Sequence, residues 1–396
     1  MKILYLLSLL FFILFLSFYF YSLKIPKPQW KFWVLDIEHP ERFVSLVTDS
    51  KGNPHIFYFD ERDGGGLLYA TSKSFGNSFL DDLNYFFRGR DWVYEVVDDR
   101  KNVGFAISST IKNDKLYVAY QDSTLGKERL LYATRNGKWK IETVDKAEES
   151  GINVGMYTSI SFLEKPIIFY FVEQGRKLMY AVKDGNWTKK EIDSGKGLFI
   201  TSKVYNNSIF LAFRERDGKK IYFAVFENGS FRFKKLNANA DSQFSIALKN
   251  CEPYIAYYDN DKEKIYFSSL VDFKPKEIAK GERSRTSLAY SNGFHLVYGE
   301  SGKGLWYAYS KDGNDWNFTL LDNGIREGEY NSLAVDEKGN IHIAYLNRTA
   351  LKYAEYNISS VETAKALFLI LSFTFLTLSL ACLISNIILR KFKRKR

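Results

Sequence analysis

Six acidic residues recur at one place in a repeating pattern. Asp60, Asp122, Glu173, Glu215, Asp259 and Glu300 each follow a short β-branched and aromatic run such as "HIFYFD" or "YIAYYD", and a seventh copy carries Asn347 instead. Arginines fall nearby at Arg62, Arg214, Arg216 and Arg348, with Arg42, Arg100, Arg285 and Arg326 in the segments that join one copy to the next. Carboxylates accept from sugar hydroxyls or hold a cation, and guanidinium forks take an anionic group. Asp60, Arg62, Asp122, Glu173, Arg214, Glu215, Asp259 and Glu300 are therefore the candidate ligand-binding residues. Glycoside hydrolysis asks for more: two carboxylates roughly 5–10 Å apart, one of them held protonated. No such pair can be singled out. The competing reading is structural, because acids at strand ends also accept N–H groups of their own turns. Repetition in nearly every copy favours it, since active sites break symmetry.

Other chemistry is sparse. His55, His295 and His342 sit at equivalent places in three different copies, so symmetry separates them, and His39 stands alone. No Ser/His/Asp set, phosphate-cradling glycine loop or metal-spaced motif is present, so no catalytic residue is assigned and no cofactor or metal is expected. The two cysteines, Cys251 and Cys382, offer no disulfide framework. Six Asn-x-Ser/Thr sites are glycosylation candidates if the region is extracellular: Asn186, Asn206, Asn228, Asn317, Asn347 and Asn357.

The elements that position these residues are written as a repeat. "LLYATRNGKWKIETVD" from Leu130 returns as "LMYAVKDGNWTKKEID" from Leu178 and "LWYAYSKDGNDWNFTLLD" from Leu305. Each unit opens with a serine and an apolar run, at Ser45, Ser108, Ser159, Ser202, Ser245, Ser287 and Ser332. The aromatic run with its acid follows, then the Leu-x-Tyr-Ala segment, then a strand opened by Trp92, Trp139, Trp187, Phe231, Phe273 or Trp316. Four short strands recurring every 42–51 residues, after a first interval of 63, spell a β-propeller. Alternation along the strands places the acids and the joining arginines on one rim.

The seventh unit lacks a fourth strand. "WKFWVLD" (Trp30 to Asp36) matches "WKIETVD" and "WNFTLLD", so the amino-terminal strand is expected to complete the last blade and close a ring of seven. The aromatic column Tyr69, Tyr132, Tyr180, Phe223, Phe267, Tyr307 and Tyr353 is expected between blades. One insertion, Thr71 to Asp91, interrupts a turn on the opposite rim. Its Phe79, Leu80, Leu83, Tyr85, Phe86 and Phe87 are too apolar for a solvated loop, so it is expected to pack under the propeller or to meet a partner or a membrane surface.

Both ends read as membrane segments. Ile3 to Leu23 is 21 residues without a charge and Ala366 to Leu389 is 24, each long enough to cross a hydrocarbon core. The net charge of +10 belongs mostly to these ends, and residues 24–361 carry only +3, so a nucleic-acid partner loses its electrostatic basis. The basic tail "RKFKRKR" is expected in the cytoplasm by the positive-inside rule, and the propeller outside. The expected order is a signal-anchor segment over 1–28, with a cleaved signal peptide as its alternative, an all-β seven-bladed propeller over 29–357, and a carboxy-terminal transmembrane helix with its tail over 358–396.

"SKDGNDW" (Ser310 to Trp316) resembles the Asp box of sialidase-type propellers, one residue shortened, and "KDGNW", "RNGKW" and "ENGSF" are degraded copies. The resemblance covers most of residues 29–357 and implies the turn between third and fourth strands. The Phe/Tyr-Arg-Ile-Pro signature of sialidases is missing, and those enzymes have six blades. The expected function is a cell-surface propeller binding a glycan or protein partner. A sialidase-like glycoside hydrolase and an assembly factor for a membrane complex are the alternatives.

Overall fold

The structure, a computed structural model, describes residues 2–37, 40–72, 78–240, 242–281, 285–300, 302–324, 328–347 and 349–394. Residues 30–74 and 91–355 make one compact unit, and residues 1–29, 75–90 and 356–396 make another. Arg326, Arg348 and His39 lie outside the described residues.

The first unit consists of seven four-stranded sheets. Chain order runs from inner to outer strand in six of them; in the seventh the outer place is taken by Trp30–Ile37, beside the third strand Ala350–Tyr356. The inner strands Pro40–Thr48, Val103–Lys112, Val154–Phe162, Lys196–Tyr205, Ser245–Lys249, Thr286–Tyr290 and Tyr330–Val335 touch one after another and return to the first. The ring of seven and its seam are as the repeats require. Second strands such as Pro166–Val172 are buried on both faces and read as unbroken apolar runs for that reason.

The repeated serine has a physical task. An inner strand borders the channel and has no sheet partner on that side, so its N–H groups need acceptors. Ser332 Oγ accepts from Leu46 N at 3.0 Å, Ser45 Oγ from Ser109 N at 3.0 Å and Ser108 Oγ from Ile160 N at 3.0 Å. Each hydroxyl stitches its blade to the next. In blade four the register is one residue off the sequence alignment: Thr201 pairs with Ala212 as Ser45 pairs with Phe57, and Ser202 instead meets Ser159 Oγ at 2.7 Å.

Aromatic rings fill the wedge between blades. A third-strand ring packs edge-on against the outer-strand ring of the next blade: Tyr69 on Trp139 at 5.3 Å, Tyr132 on Trp187 at 5.1 Å and Phe267 on Trp316 at 5.2 Å. Trp30 joins the series against Tyr307 at 5.1 Å, and Tyr353 meets Trp92 of the first blade at 4.9 Å. Edge-to-face pairs are worth about 1 kcal/mol each beyond the area they bury. The fifth blade departs from the pattern. Phe273 precedes Pro275, and the outer strand starts only at Lys276.

The second unit holds α1 (Lys2–Lys24), α2 (Phe79–Arg88) and α4 (Ser359–Arg394); the one-turn α3 (Ala147–Ser150) belongs to the propeller. Both α1 and α4 are long and apolar enough to cross a membrane. They run antiparallel, with Phe18 stacked on Phe375 at 5.5 Å, Tyr21 against Phe368 at 4.5 Å, and Ser8 Oγ bonded to Ser379 Oγ at 3.1 Å. Insertion residues Phe79–Arg88 form the amphipathic α2, started by a capping box between Ser78 and Asp81.

Candidate functional site

The rim acids behave as turn residues first. Asp60, Asp122, Glu215, Asp259 and Glu300 each end a second strand. Asp60 accepts from Arg62 N and Arg62 Nε at 2.8 Å each, and Asp122 accepts from Thr124 N at 3.0 Å and Arg129 Nε at 3.0 Å. Asp259 takes Asp261 N at 3.2 Å, Glu300 takes Lys303 Nζ at 2.5 Å, and Glu215 takes Tyr222 Oη at 3.2 Å. Asn347, the neutral copy, accepts from Thr349 N at 2.8 Å and Ala350 N at 2.7 Å. A carboxylate or amide at this point satisfies the donors of its own blade.

Glu173 breaks the column. Tyr170 is the counterpart of Tyr120, since each donates to an outer-strand aspartate of the preceding blade (Asp145 and Asp98, both at 2.7 Å). Two residues beyond Tyr170 is Val172, where the strand ends, so Glu173 lies one residue past it. Turned away from its own turn, it pairs with Arg216 of the next blade.

Asymmetry gathers where the inner strands begin, at the channel mouth on this rim. The inner strands of blades two to four open with "VGFA", "VGMY" and "KGLF", and each bulges there. Gly104, Gly155 and Gly197 carry positive φ and lie against third strands of the preceding blade: a Cβ on Gly155 would sit 3.1 Å from Leu130 Cα. Ala106, Tyr157 and Phe199 follow, themselves at positive φ of 48°, 52° and 52°. Non-glycine residues in that region mark backbone held in place by its surroundings, a frequent property of binding sites.

These bulges bring unlike side chains together. Tyr157 packs edge-on to Phe199 at 5.1 Å, and the Arg214 guanidinium lies 5.1 Å from the Phe199 ring centre. Phe105 meets Phe43 at 5.9 Å, Phe43 meets Tyr330 at 5.9 Å, and the Arg285 guanidinium stacks on Tyr330 at 3.6 Å. Arg285 makes no salt bridge among the described residues, and burial pulls its pKa below the usual arginine range against the opposing pull of Tyr330 and Glu329. Burial raises the Tyr157 phenol, partly offset by Arg214, Arg285 and Arg216, while Glu173 pushes it further up. An anion placed here would meet two guanidinium groups in a low-dielectric, ring-lined setting.

Below the mouth runs a channel of about 470 Å³ lined by hydroxyl-bearing inner-strand residues including Ser45, Ser109, Ser161 and Ser202. Lys203 and Lys112 also line it. A larger groove of about 950 Å³ lies between blades two and three at the outer edge, with Glu142, Asp145, Lys189 and Trp187 in its wall. Its charges neutralise one another: Lys189 Nζ is 2.6 Å from Asp145 and 2.5 Å from Glu149. At the mouth Arg285 has no such salt-bridge partner among the described residues.

Of the sequence candidates, the structure brings Glu173 and Arg214 to this mouth and keeps Asp60, Arg62, Asp122, Asp259 and Glu300 in their own turns; Glu215 bonds within blade four. Tyr157, Phe199 and Tyr330 were not singled out from sequence. The recurring glycine two residues ahead of a bulged aromatic was their signal. The three histidines at equivalent places in the repeat bond third-strand tyrosines: His55 Nδ1 to Tyr69 Oη at 2.6 Å, His295 to Tyr307 at 2.7 Å and His342 to Tyr353 at 2.6 Å. Asn186, Asn206, Asn228 and Asn317 are exposed, Asn347 is half-buried, and Asn357 is buried with its Oδ1 accepting from Ser360 N at 2.9 Å.

No protein-family model matches the chain, and no curated protein matches its sequence. Solved propellers resemble it in shape. The SapL1 lectin in complex with α-methyl fucoside is 14% identical, with a TM-score of 0.50 over 72% of this chain and 97% of that one. The six-bladed fucose-recognising lectin of Aleuria aurantia is 13% identical, TM-score 0.47, over 71% and 94%. The intramolecular trans-sialidase from Ruminococcus gnavus is 10% identical, TM-score 0.47, over 81% and 95%. At such identities the likeness concerns the fold.

Proposed function

We propose that this chain is a membrane-tethered propeller that binds a glycan bearing a carboxylate, seating that group at the channel mouth on Arg285 and Arg214. One observation carries the reading: the half-buried Arg285 stacks on Tyr330 and makes no salt bridge among the described residues, and the longer-range pull of Glu329 does not make up for its desolvation. Desolvating a cation is costly unless something offsets it. Tyr330 supplies part of the offset through its ring face, and an anionic ligand would supply the rest. Tyr157, Phe199 and Phe105 provide the flat apolar surface on which a sugar ring rests. Binding is favoured over hydrolysis, because the rim acids are engaged by turn donors or by basic side chains.

The same reading keeps α1 as an uncleaved anchor, the propeller outside the cell and the basic tail within. The polar Ser8–Ser379 contact between two apolar helices supports retention of α1, since hydroxyls in such helices act as adhesive groups.

The test uses the full-length protein in detergent on a glycan array holding sialylated, uronate-bearing and neutral glycans. Retention of the acidic glycans, weakened by salt, is expected. Arg285→Ala should reduce it by about tenfold or more, the loss of a charge-assisted pair, while Arg232→Ala on an exposed outer strand should not. Equal retention by Arg285→Ala, or retention of neutral glycans alone, would sink the proposal. Release of free sugar from a retained glycan would move the chain to the hydrolase class.

A further inference from the structure

The helical unit contains an apolar surface that the spanning helices do not account for. In α2 the apolar positions Phe79, Leu80, Leu83, Phe86 and Phe87 form one stripe at helical spacing. Only part of that stripe is used inside the protein. Leu83 and Phe86 pack with Ile25, Val361, Ala364 and Phe368, and the Asp82 carboxylate accepts from Ser359 Oγ at 3.4 Å and Thr363 Oγ1 at 3.3 Å. These contacts pin α2 to the first turns of α4. The remainder of the stripe is open: Leu80 is 72% exposed, Phe87 60% and Phe79 42%.

What lies next to the open part indicates what covers it. Phe368, which α2 touches, also stacks on Phe18 at 6.0 Å and Tyr21 at 4.5 Å of α1. Phe20, Tyr21 and Leu23 at that end of α1, and Ile370 and Phe373 just beyond Phe368 in α4, are all at least half exposed. The open stripe of α2 is therefore continuous with the apolar flank of the helical pair, at the level where the uncharged run of α4 begins. Asp82 is spent on α4, and Arg88, an exposed charge, lies round the helix from the stripe.

We propose that α2 is an interfacial helix, lying on the outer leaflet with Phe79, Leu80 and Phe87 at the boundary between headgroups and acyl chains. It would fix the depth and rotation of the helical pair in the bilayer, as aromatic residues at that level do for single spans. The inference rests on α1 and α4 crossing the membrane, and the experiment separates the two claims.

In a C251S/C382A background, full-length protein carrying Leu80→Cys, Arg88→Cys or Phe373→Cys is labelled with NBD and reconstituted in phosphatidylcholine vesicles, with and without brominated acyl chains. The label at 80 should emit to the blue of the label at 88 and be quenched more by bromine near the headgroup than by bromine near the chain end. The label at 373 should be quenched more by the deeper bromine. Aqueous emission at 80 with quenching retained at 373 overturns the interfacial helix alone. Shielding from iodide at 80 without bromolipid quenching also overturns it, and points to a second copy or another protein on that face. No bromolipid quenching at 373 overturns the spanning reading and this inference with it.

Discussion

Asp98 shows what a single carboxylate does between two blades. It ends an outer strand and accepts from Tyr120 Oη of the next blade at 2.7 Å and from Arg100 Nε at 2.8 Å. Burial works to raise its pKa, but the hydrogen bonds from Arg100 and Tyr120 outweigh it and hold the group below the usual aspartate range. The same bond recurs as Asp36 to Tyr58, Asp145 to Tyr170 and Asp322 to Tyr345. Asp98→Ala should cost about 3 kcal/mol, because it strands a buried hydroxyl and frees the guanidinium, and Tyr120→Phe about 1 kcal/mol. Urea titrations would measure both, and equal small losses would contradict the assignment. His295 titrates in the other sense. Burial lowers its pKa below the ordinary histidine value of 6.5, so the unfolded chain binds the proton more readily. Stability should therefore fall as pH drops from about 6.5 toward the folded value, and be level above it. His295→Gln should flatten that slope in melting temperatures taken between pH 5 and 8. The two columns differ in legibility: rim acids recurring in six of seven copies are visible in a row of letters, whereas the outer-strand aspartates bond tyrosines that sit in a different blade.

At the scale of strands and turns, the repeat was readable because propeller blades enforce alternation and regular turns. Register was not. Thr201 in place of Ser202, and Glu173 one residue beyond its strand, follow from bulges and strand ends that shift pairing by a single residue. That slip is what converts Glu173 from a turn acid into a neighbour of Arg216 and Tyr157. The bulges depend on their glycines. Gly155 (φ 85°) has Leu130 Cα 3.1 Å from where a Cβ would stand, whereas Gly126 (φ 73°) faces open space. Gly155→Ala should lower stability by roughly 2–4 kcal/mol through strain and overpacking together, and Gly126→Ala by only the 1–2 kcal/mol of a left-handed alanine. Similar losses in both would mean that blade three does not seat on blade two as described.

For the whole molecule, the decisive inference was that Trp30–Ile37 belongs to the last sheet, and its basis was a match of a few residues to outer strands elsewhere. The proposed anion site was only partly legible, since Arg285 and Tyr330 become neighbours only when blades six and seven meet. A chain beginning at residue 27 should resist limited proteolysis through the propeller, while one beginning at residue 40 should be cut throughout, because the third strand Ala350–Tyr356 is left as a bare edge. Equal resistance would mean that the ring holds without its seam. The seam also sets a timetable. A ribosome adding about 5–20 residues per second delivers the strand at residue 30 roughly 15–65 s before its partner near residue 356. Through that interval the earliest strand must wait unpaired while six sheets form downstream. An anchor just ahead of it in the chain would confine its search to a small volume beside the translocon, so that the final snap is quick although its two halves are nearly a chain length apart.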